Sequence, residues 1–373
     1  MSELRVCIVG CGRIATLNCL GYKDDPDARI FAVCDTNGER ARAFAAETGA
    51  ERIYTDYEDV LKDGDIDAIE LLVPHHLHCD MTVRACRAGK HVSVQKPMAM
   101  SLRECDQMIE AAEKAHVVLK VFENFIFYPP YVEAKRLLDA GEIGEPQSIR
   151  LKMVAGSNRH GWPVSQATWA WRMQEELSGG GELIFDDGYH KFSLARYFLG
   201  DPETVFAFVG HTMMEGEENR YYDRESGKTV QFYEDAPSVI TWKYRDSQRF
   251  GVFDINYSKD MEINSDYYAC DEQVEITGSK GVIWVTRCTG KLRQIPSLRI
   301  YRGGKTVSYE AMRDDWADSF IDSTRDFIRA VRDNTRPRLS GEDGREVLKF
   351  SLAALRSGKL NRPVTMDEME MME

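Results

Sequence analysis

The sequence predicts two fold classes in one chain. The N-terminal half reads as α/β, a doubly wound parallel sheet of the Rossmann type, and the C-terminal half as α+β, built on a large, mostly antiparallel open sheet. Three observations predict this. Residues 1–124 alternate compact apolar runs with helical patterns of about 10–15 residues, as buried parallel strands joined by crossover helices do. The first run opens directly into Gly10-Cys11-Gly12-Arg13-Ile14-Ala15. After about residue 124 the pattern changes to longer strand-like segments, followed by two amphipathic helices.

In order, Leu4–Val9 reads as the first strand, followed by a helical stretch to about Tyr22. Ile30–Cys34 is a second strand, and Glu39–Glu47, rich in Ala, Arg and Glu, a helix. Ala68–Val73, His91–Val94 and Val117–Phe122 are further strands, separated by helices at Leu77–Ala88 and Leu102–Ala115. Right-handed crossovers make this half doubly wound. Pro129-Pro130 opens a helix through Ala140, closed by Gly141. Ser148–Val154, Thr204–Val209, Val239–Tyr244, Arg249–Ile255 and Val274–Val285 read as antiparallel strands, the last folded into a hairpin at Gly278–Gly281. Asp315–Asn334 and Gly344–Ser357 are amphipathic helices, and the acidic, Met-rich tail Met366–Glu373 reads as frayed. The expected domains are therefore 1–124 and 125–373.

Composition narrows the function classes. With 373 residues, 48 Lys plus Arg, 61 Asp plus Glu and a net charge of −13, the chain has room for two domains and no basic surface for nucleic acid or an anionic membrane. No apolar run approaches the roughly 18–20 residues of a membrane span. The first residues show no signal-peptide core, so a cytoplasmic protein is expected. Of nine cysteines, seven lie within the first 105 residues, several inside apolar runs, and none forms a Cys-x-x-Cys pair. They read as small buried hydrophobes in a reducing compartment.

The segment Gly10–Ala15 fits G-x-G-x-x-A, with acidic Asp35 closing the second strand. Gly10 permits the tight turn, Gly12 lets the backbone approach a pyrophosphate, and Ala15 allows close helix packing, with Arg13 and Ile14 between. The N–H groups of the following helix then face the phosphates. Asp35 can accept from both ribose hydroxyls and would repel a 2′-phosphate. This favours NAD over NADP, with Arg40 and Arg42 close enough in sequence to keep NADP as the alternative.

Further motifs follow: Val73-Pro74-His75-His76-Leu77-His78, then Gln95-Lys96-Pro97, Asn124 before Pro129-Pro130, Gly179-Gly180-Gly181, and Asp186-Asp187-Gly188-Tyr189-His190. Together these resemble the Gfo/Idh/MocA oxidoreductase family over nearly the whole chain. The resemblance implies that Lys96 and Pro97 match a Lys-Pro pair beside the nicotinamide, with Gln95 standing where Glu is usual. Gln keeps the size and hydrogen-bonding reach but removes a negative charge. It also implies that Asp186, Gly188 and His190 match a catalytic Asp-x-Gly-x-His, so that Lys96, Asp186 and His190 flank the reacting carbinol. Residues four apart on a helix share a face, and imidazole is the side chain that ordinarily exchanges protons near neutrality. His190 is then the general base, Lys96 holds or relays the alcohol proton, and Asp186 orients the substrate, with Asp187 as its competitor. Val73, Pro74, His75, His78, Gln95, Lys96 and Asn124 join the expected cofactor contacts. Phe125-Ile126-Phe127 stands where basic residues often follow the Asn. The histidine cluster at 75–78 reads as loop packing, and no metal is expected.

Asn158, Arg159, His160, Trp162, Trp171 and Arg172 mix hydrogen-bonding groups with flat aromatic faces, which suits a polyhydroxylated ring, so they are the expected substrate contacts with Lys96, Asp186 and His190. Trp169 and Trp171 equally suit core or interface, and Arg159 or Arg172 an acidic sugar or phosphate. The resemblance implies an NAD-dependent dehydrogenase acting on a secondary alcohol of a sugar, sugar derivative, glycoside or cyclitol. The alternative is an enzyme that retains NAD and cleaves a glycoside by transient oxidation, elimination and re-reduction. A third reading is a redox-sensing protein without catalysis. The resemblance also implies a homodimer or homotetramer, using one face of the open sheet, and a helix after Gly341 that packs back toward the first domain.

Overall fold

The computed structural model describes residues 3–23, 25–157, 161–162, 165–223, 227–245, 248–286 and 294–371. They form two compact units, Met1–Asn124 with Ser319–Leu348, and Phe125–Asp318 with Lys349–Glu373.

The first unit is built on six parallel strands: β1 (Leu4–Val9), β2 (Ala28–Cys34), β3 (Arg52–Tyr54), β4 (Ala68–Leu71), β5 (His91–Gln95) and β6 (Leu119–Phe122), in the order β3-β2-β1-β4-β5-β6. The order reverses between β1 and β4, the switch point at which such sheets take ligands. The connecting helices are α1 (Ala15–Asn18), α2 (Gly38–Thr48), α3 (Tyr57–Lys62), α4 (His78–Arg87) and α5 (Leu102–Ala115). Asn37 caps α2 by accepting from the N–H groups of Glu39 and Arg40, and Ser101 caps α5 through Glu104. One face of the sheet, with Val6, Ile8 and Val33, packs on Ala15, Phe44 and Phe327.

The stretch after the Gly-rich turn departs from the helix expected to Tyr22. α1 is a single turn, followed by a 3-10 turn at Cys19–Gly21. Thr324 Oγ1 donates to the Asn18 carbonyl at 2.9 Å, occupying an acceptor that a continuing α-ladder would use. Gly21 lies so close to Thr324 that a Cβ there would stand 2.3 Å from its side chain.

The second unit opens with α6 (Pro129–Asp139) and β7 (Pro146–Ser157), then α7 (Gln166–Arg172), α8 (Glu175–Ser178), a π-helical turn at Glu182–Asp186, and α9 (Gly188–Leu199). β8 (Pro202–Val209) follows. Two short ribbons pair β9 (Thr212–Met213) with β12 (Tyr233–Glu234) and β10 (Arg220–Asp223) with β11 (Lys228–Gln231). Then come β13 (Ser238–Tyr244), β14 (Phe250–Glu262), β15 (Cys270–Gly278), β16 (Gly281–Thr286), β17 (Leu298–Arg302) and β18 (Lys305–Tyr309). The nine-stranded sheet has the order β18-β17-β16-β15-β7-β14-β13-β8-β19, with β19 at Val364–Thr365, and is antiparallel except for β7 against β14. Period-2 alternation splits it cleanly. Ile149, Leu151, Ile240, Phe253, Ile276, Ile283 and Ile300 are buried on one face. Phe208, Phe250 and Tyr301 stand on the other, each more than 40% exposed.

The last helices are α10 (Trp316–Asp333), α11 (Gly341–Leu360) and α12 (Met366–Glu370). Residues 319–348 belong to the first unit, where the sequence pattern suggested an unbroken second domain from 125 to 373. The reason is at β6, whose edge is completed from this segment. The N–H of Val121 donates to the Leu339 carbonyl at 3.0 Å, and the fully buried Lys120 ammonium donates to the Ser323 carbonyl and pairs with Asp326 at 3.3 Å. Within the tail expected to fray, Met366–Glu370 instead form α12. Thr365 caps it, Met366 and Met369 are buried, and Glu370 pairs with Lys349 at 2.6 Å.

Candidate active site

At the end of β1, Gly10 has φ +96° and a Cβ there would lie 2.2 Å from the Leu72 carbonyl oxygen, so the turn requires glycine. Gly12 meets the opposite situation: a Cβ there would have nothing within 4 Å. The protein itself does not demand that glycine, and the space beside it suits close approach of a phosphate. Asp35, 7% exposed, is fixed at the end of β2, where Cys11 N–H donates to Oδ2 at 3.0 Å and Asn37 N–H to Oδ1 at 2.8 Å. Arg40 reaches the same carboxylate at 3.3 Å, which commits to Asp35 a charge that a 2′-phosphate would otherwise use. These groups fit an adenine dinucleotide with an unphosphorylated ribose. Burial, followed by the Asp35 charge, pushes the thiols of Cys11 and Cys34 up to about 12, so both are inert packing groups. The eight cysteines among the described residues are free thiols.

The neighbouring strand ends are tied by His78, whose Nδ1 lies 2.9 Å from the Pro97 carbonyl and Nε2 2.9 Å from the Val73 carbonyl. This fully buried ring joins the loop after β4, with Val73, Pro74 and His75, to the loop after β5. Among the described residues, no three His, Cys, Asp or Glu side chains gather into a metal-holding group. Lys96 and Gln95 are half-buried at the end of β5, and the Lys96–Pro97 bond is cis. The Lys96 backbone N–H donates to Gln95 Oε1 at 2.9 Å, and Gln95 Nε2 reaches Asn18 Oδ1 at 3.5 Å. Asn124 is buried and its amide donates to Ser319 Oγ at 2.7 Å. Arg13 is exposed and Ile14 half-buried beside the Gly-rich turn, with Ala15 buried beneath it.

In the second unit the glycine run shapes the turn that carries Asp186. A Cβ on Gly181 would stand 2.3 Å from Asp235 Oδ2, and one on Gly180 would stand 2.6 Å from Phe185. The Asp235 carboxylate accepts from Leu183 N–H at 2.7 Å and Ile184 N–H at 2.9 Å, holding a π-turn that ends at Asp186. Asp186 and His190 therefore do not share one regular α-helix, as their spacing suggested, since α9 begins only at Gly188. Asp186 Oδ2 accepts from Arg172 Nε at 3.0 Å, and the guanidinium lies over the Trp171 ring at 4.5 Å. His190, 6% exposed, stacks on Phe125 with centroids 3.9 Å apart and planes 13° from parallel. Asp187 instead joins a buried ionic group, pairing with Lys191, which also pairs with Glu272.

Trp162 sits edge-on to Tyr267 and Tyr268 and 6.0 Å from Trp316, an aromatic box. Burial raises the Tyr268 hydroxyl, Arg172 opposes this, and Asp186 adds to it, so the box and the Arg172–Asp186 pair are electrostatic neighbours. Two more carboxyls belong here. Burial and Glu234 raise Glu182 well above the usual range against Arg172, and burial with Asp235 and Asp187 pushes Glu234 up to about 8. One buried oxygen of each, Oε2, has no hydrogen-bond partner among the described residues. Trp169 packs instead on the small core of Ala170, Met173, Val230 and Phe232. Asn158, Arg159 and His160 lie outside the described residues. Sequence reasoning missed Tyr267, Tyr268, Trp316, Glu182 and Glu234. The only signals were a Tyr-Tyr pair and a Glu directly after the glycine run.

The sequence pattern of the GFO/IDH/MocA oxidoreductase family, NAD-binding Rossmann fold, matches residues 4–123, and that of the GFO/IDH/MocA C-terminal domain matches residues 131–284. The chain is 27% identical over 368 residues to myo-inositol 2-dehydrogenase of Thermotoga maritima, covering 98% of this chain and 99% of that one. It is 26% identical over 367 residues to scyllo-inositol 2-dehydrogenase (NAD(+)) of Bacillus subtilis, covering 98% and 97%. A levoglucosan dehydrogenase solved with NADH and L-sorbose shares the fold, with a TM-score of 0.81, 21% identity, and 99% and 100% of the two chains covered.

Proposed function

The chain belongs to the Gfo/Idh/MocA family of oxidoreductases, and from that premise we propose that it is an NAD-dependent dehydrogenase for a secondary alcohol of an uncharged sugar, sugar derivative, glycoside or cyclitol. The observation that carries the substrate class is the pairing of Arg172 with Asp186 beside the raised carboxyls of Glu182 and Glu234. The guanidinium is already neutralised and is no magnet for an acidic sugar or phosphate. The aromatic faces of Trp162, Trp171 and Tyr268 suit the C–H faces of a ring, and the polar groups its hydroxyls.

When bound, NAD supplies the nicotinamide that accepts the hydride from the carbinol carbon. Gly10–Ala15 and Asp35 hold its pyrophosphate and ribose, and Val73, Pro74, His75, Gln95 and Asn124 shape its nicotinamide end, with His78 fastening the loops. His190 takes the hydroxyl proton as the carbinol C–H bond breaks, and the carbonyl forms from the O–H electron pair. Phe125 keeps the imidazole flat against one support, so that its orientation does not depend on substrate. Lys96 donates a hydrogen bond to the reacting oxygen and holds it while its proton passes to His190, and Asp186, held by Arg172, accepts from a substrate hydroxyl. A second copy covering the sheet face with Phe208, Phe250 and Tyr301 belongs to the same reading, giving a homodimer or homotetramer. So does a cytoplasmic setting, where buried free thiols persist. Among the described residues, no helix is long and apolar enough to cross a membrane.

The test is NADH formation across a panel of polyols, sugars and glycosides, with Lys96→Ala and His190→Ala. Each variant should cut turnover by roughly 100-fold or more, as loss of a proton-transfer group does. Unchanged turnover would refute the residue roles. Glycoside cleavage without net NADH would replace the dehydrogenase reading by the elimination reading.

A further inference from the structure

Glu70 is a wholly buried carboxyl in the middle of β4, and nothing in the proposed chemistry uses it. Its Oε1 accepts from Asn18 Nδ2 at 2.9 Å and Ser93 Oγ at 3.2 Å, and its Oε2 from Tyr22 Oη at 2.6 Å. Burial raises the Glu70 carboxyl, and the hydrogen bonds from Tyr22 and Asn18 oppose this. With two donors on Oε1, a retained proton sits on Oε2, so Oε1 is an acceptor in either state. The Asn18 amide must therefore turn its NH₂ toward Glu70 and its oxygen away. That oxygen faces Gln95 Nε2 at 3.5 Å, the loosest link of the chain. Gln95 in turn presents Oε1 to the backbone N–H of Lys96 at 2.9 Å. If the two amides ran in the reverse sense, Gln95 would direct its NH₂ at the Lys96 N–H, a donor against a donor.

We infer that Glu70 is a positioning residue: as an obligate acceptor at the far end of the Asn18–Gln95 amide chain, it fixes the direction in which Gln95 holds the backbone of Lys96. The inference rests on the reading of Lys96 as a proton-handling group only for its effect on turnover. The geometry it describes lies entirely within the first unit. A carboxylate at position 95 would accept from Lys96 whatever Asn18 did. An amide there has two ends, and Glu70 decides which end faces Lys96.

The experiment compares the parent protein with Glu70→Gln and with Glu70→Gln/Gln95→Glu. The readouts are hydrogen exchange of the Lys96 backbone amide by NMR in the NAD-free full chain, and kcat and the Kd of NAD. An amide at position 70 can be donor or acceptor, so both directions of the chain become available. In the single variant, Lys96 exchange should rise about tenfold and kcat fall roughly five- to tenfold, with the Kd of NAD within about twofold, as for one lost hydrogen bond. The double variant places an obligate acceptor beside Lys96 and reverses the chain with every group paired, so Lys96 exchange should return toward the parent. Unchanged Lys96 exchange in the folded single variant, or no recovery in the double variant, overturns the inference. If Glu70→Gln does not fold, Asn18→Ser cuts the chain while leaving Tyr22 and Ser93 on Glu70, and unchanged exchange there overturns it equally. Raised exchange with unchanged kcat supports the positioning and shows that it does not limit turnover.

Discussion

Removing the titratable carboxyl of Glu234 should flatten the pH dependence of the second unit's stability. Glu234 is 7% exposed, and burial first, then Asp235 and Asp187, push it from 4.5 to about 8. Between those values the folded chain keeps a proton that the unfolded chain has released. Stability therefore falls as pH rises, by about 1.4 kcal/mol per pH unit for one such group. Below 4.5 the carboxyl is protonated in both states and its contribution is complete; above about 8 it is ionised in both states and the slope ends. From pH 6 to pH 8 the loss is about 2 kcal/mol, because the folded carboxyl is already half ionised at pH 8. Glu182, raised by burial and by Glu234, adds to the same slope and loses part of its shift when Glu234 is neutralised. The six tryptophans, Trp162, Trp169, Trp171, Trp242, Trp284 and Trp316, all lie in the second unit, so fluorescence-monitored urea unfolding reports on that unit. The parent should lose more stability than Glu234→Gln between pH 6 and 8, the difference being about 2 kcal/mol or more. Parallel pH dependences for the two proteins would refute the reasoning.

Three further outcomes are expected. Asp35→Ala removes charge-assisted acceptors worth about 2–3 kcal/mol together, so the Kd of NAD should rise roughly 30- to 150-fold by fluorescence titration. The Kd of NADP should change far less, and equal losses would sink the assignment. Phe125→Leu takes away the flat face 3.9 Å from His190 and should lower kcat about 2- to 10-fold with KM little changed, while Phe125→Tyr keeps activity near the parent. If Phe125→Leu turns over like the parent, the stack does not orient the imidazole. Arg172→Gln leaves Asp186 without its guanidinium, with side-chain exposures of 24% and 10%, and should cost about 2–3 kcal/mol in the same urea assay. Arg172→Lys should recover only part of this, because an ammonium cannot reproduce the guanidinium's donor geometry or its stacking on Trp171.

The alternation of apolar runs and helices in the first 124 residues was legible because strands covered on both faces leave continuous hydrophobic stretches. β3 was not, since Arg52–Tyr54 is three residues of which none is buried. β17 and β18 escaped for a similar reason: their basic and exposed residues, such as Arg299, Lys305 and Val307, belong to the edge of an open sheet. Gly10, Gly12 and Asp35 could be read because their motif is local. Tyr268 and Glu234 could not, because Tyr268 meets Arg172 and Asp186, and Glu234 meets Glu182 and Asp187, only through tertiary folding. The π-turn at Glu182–Asp186 depends on Asp235, 49 residues after Asp186, and no local periodicity announces it.

The return of residues 319–348 to the first unit has a consequence for biosynthesis. On the ribosome, β1 through β6 emerge first, but Lys120 finds Ser323 and Asp326, and Asn18 finds Thr324, only when nearly all of the chain has been made. The second unit's sheet is translated in between, so the unit begun first is completed almost last. A nascent chain arrested after Asn124 would carry Lys120 without its Ser323 and Asp326 partners and a sheet face without Phe327, a natural client for chaperones during translation.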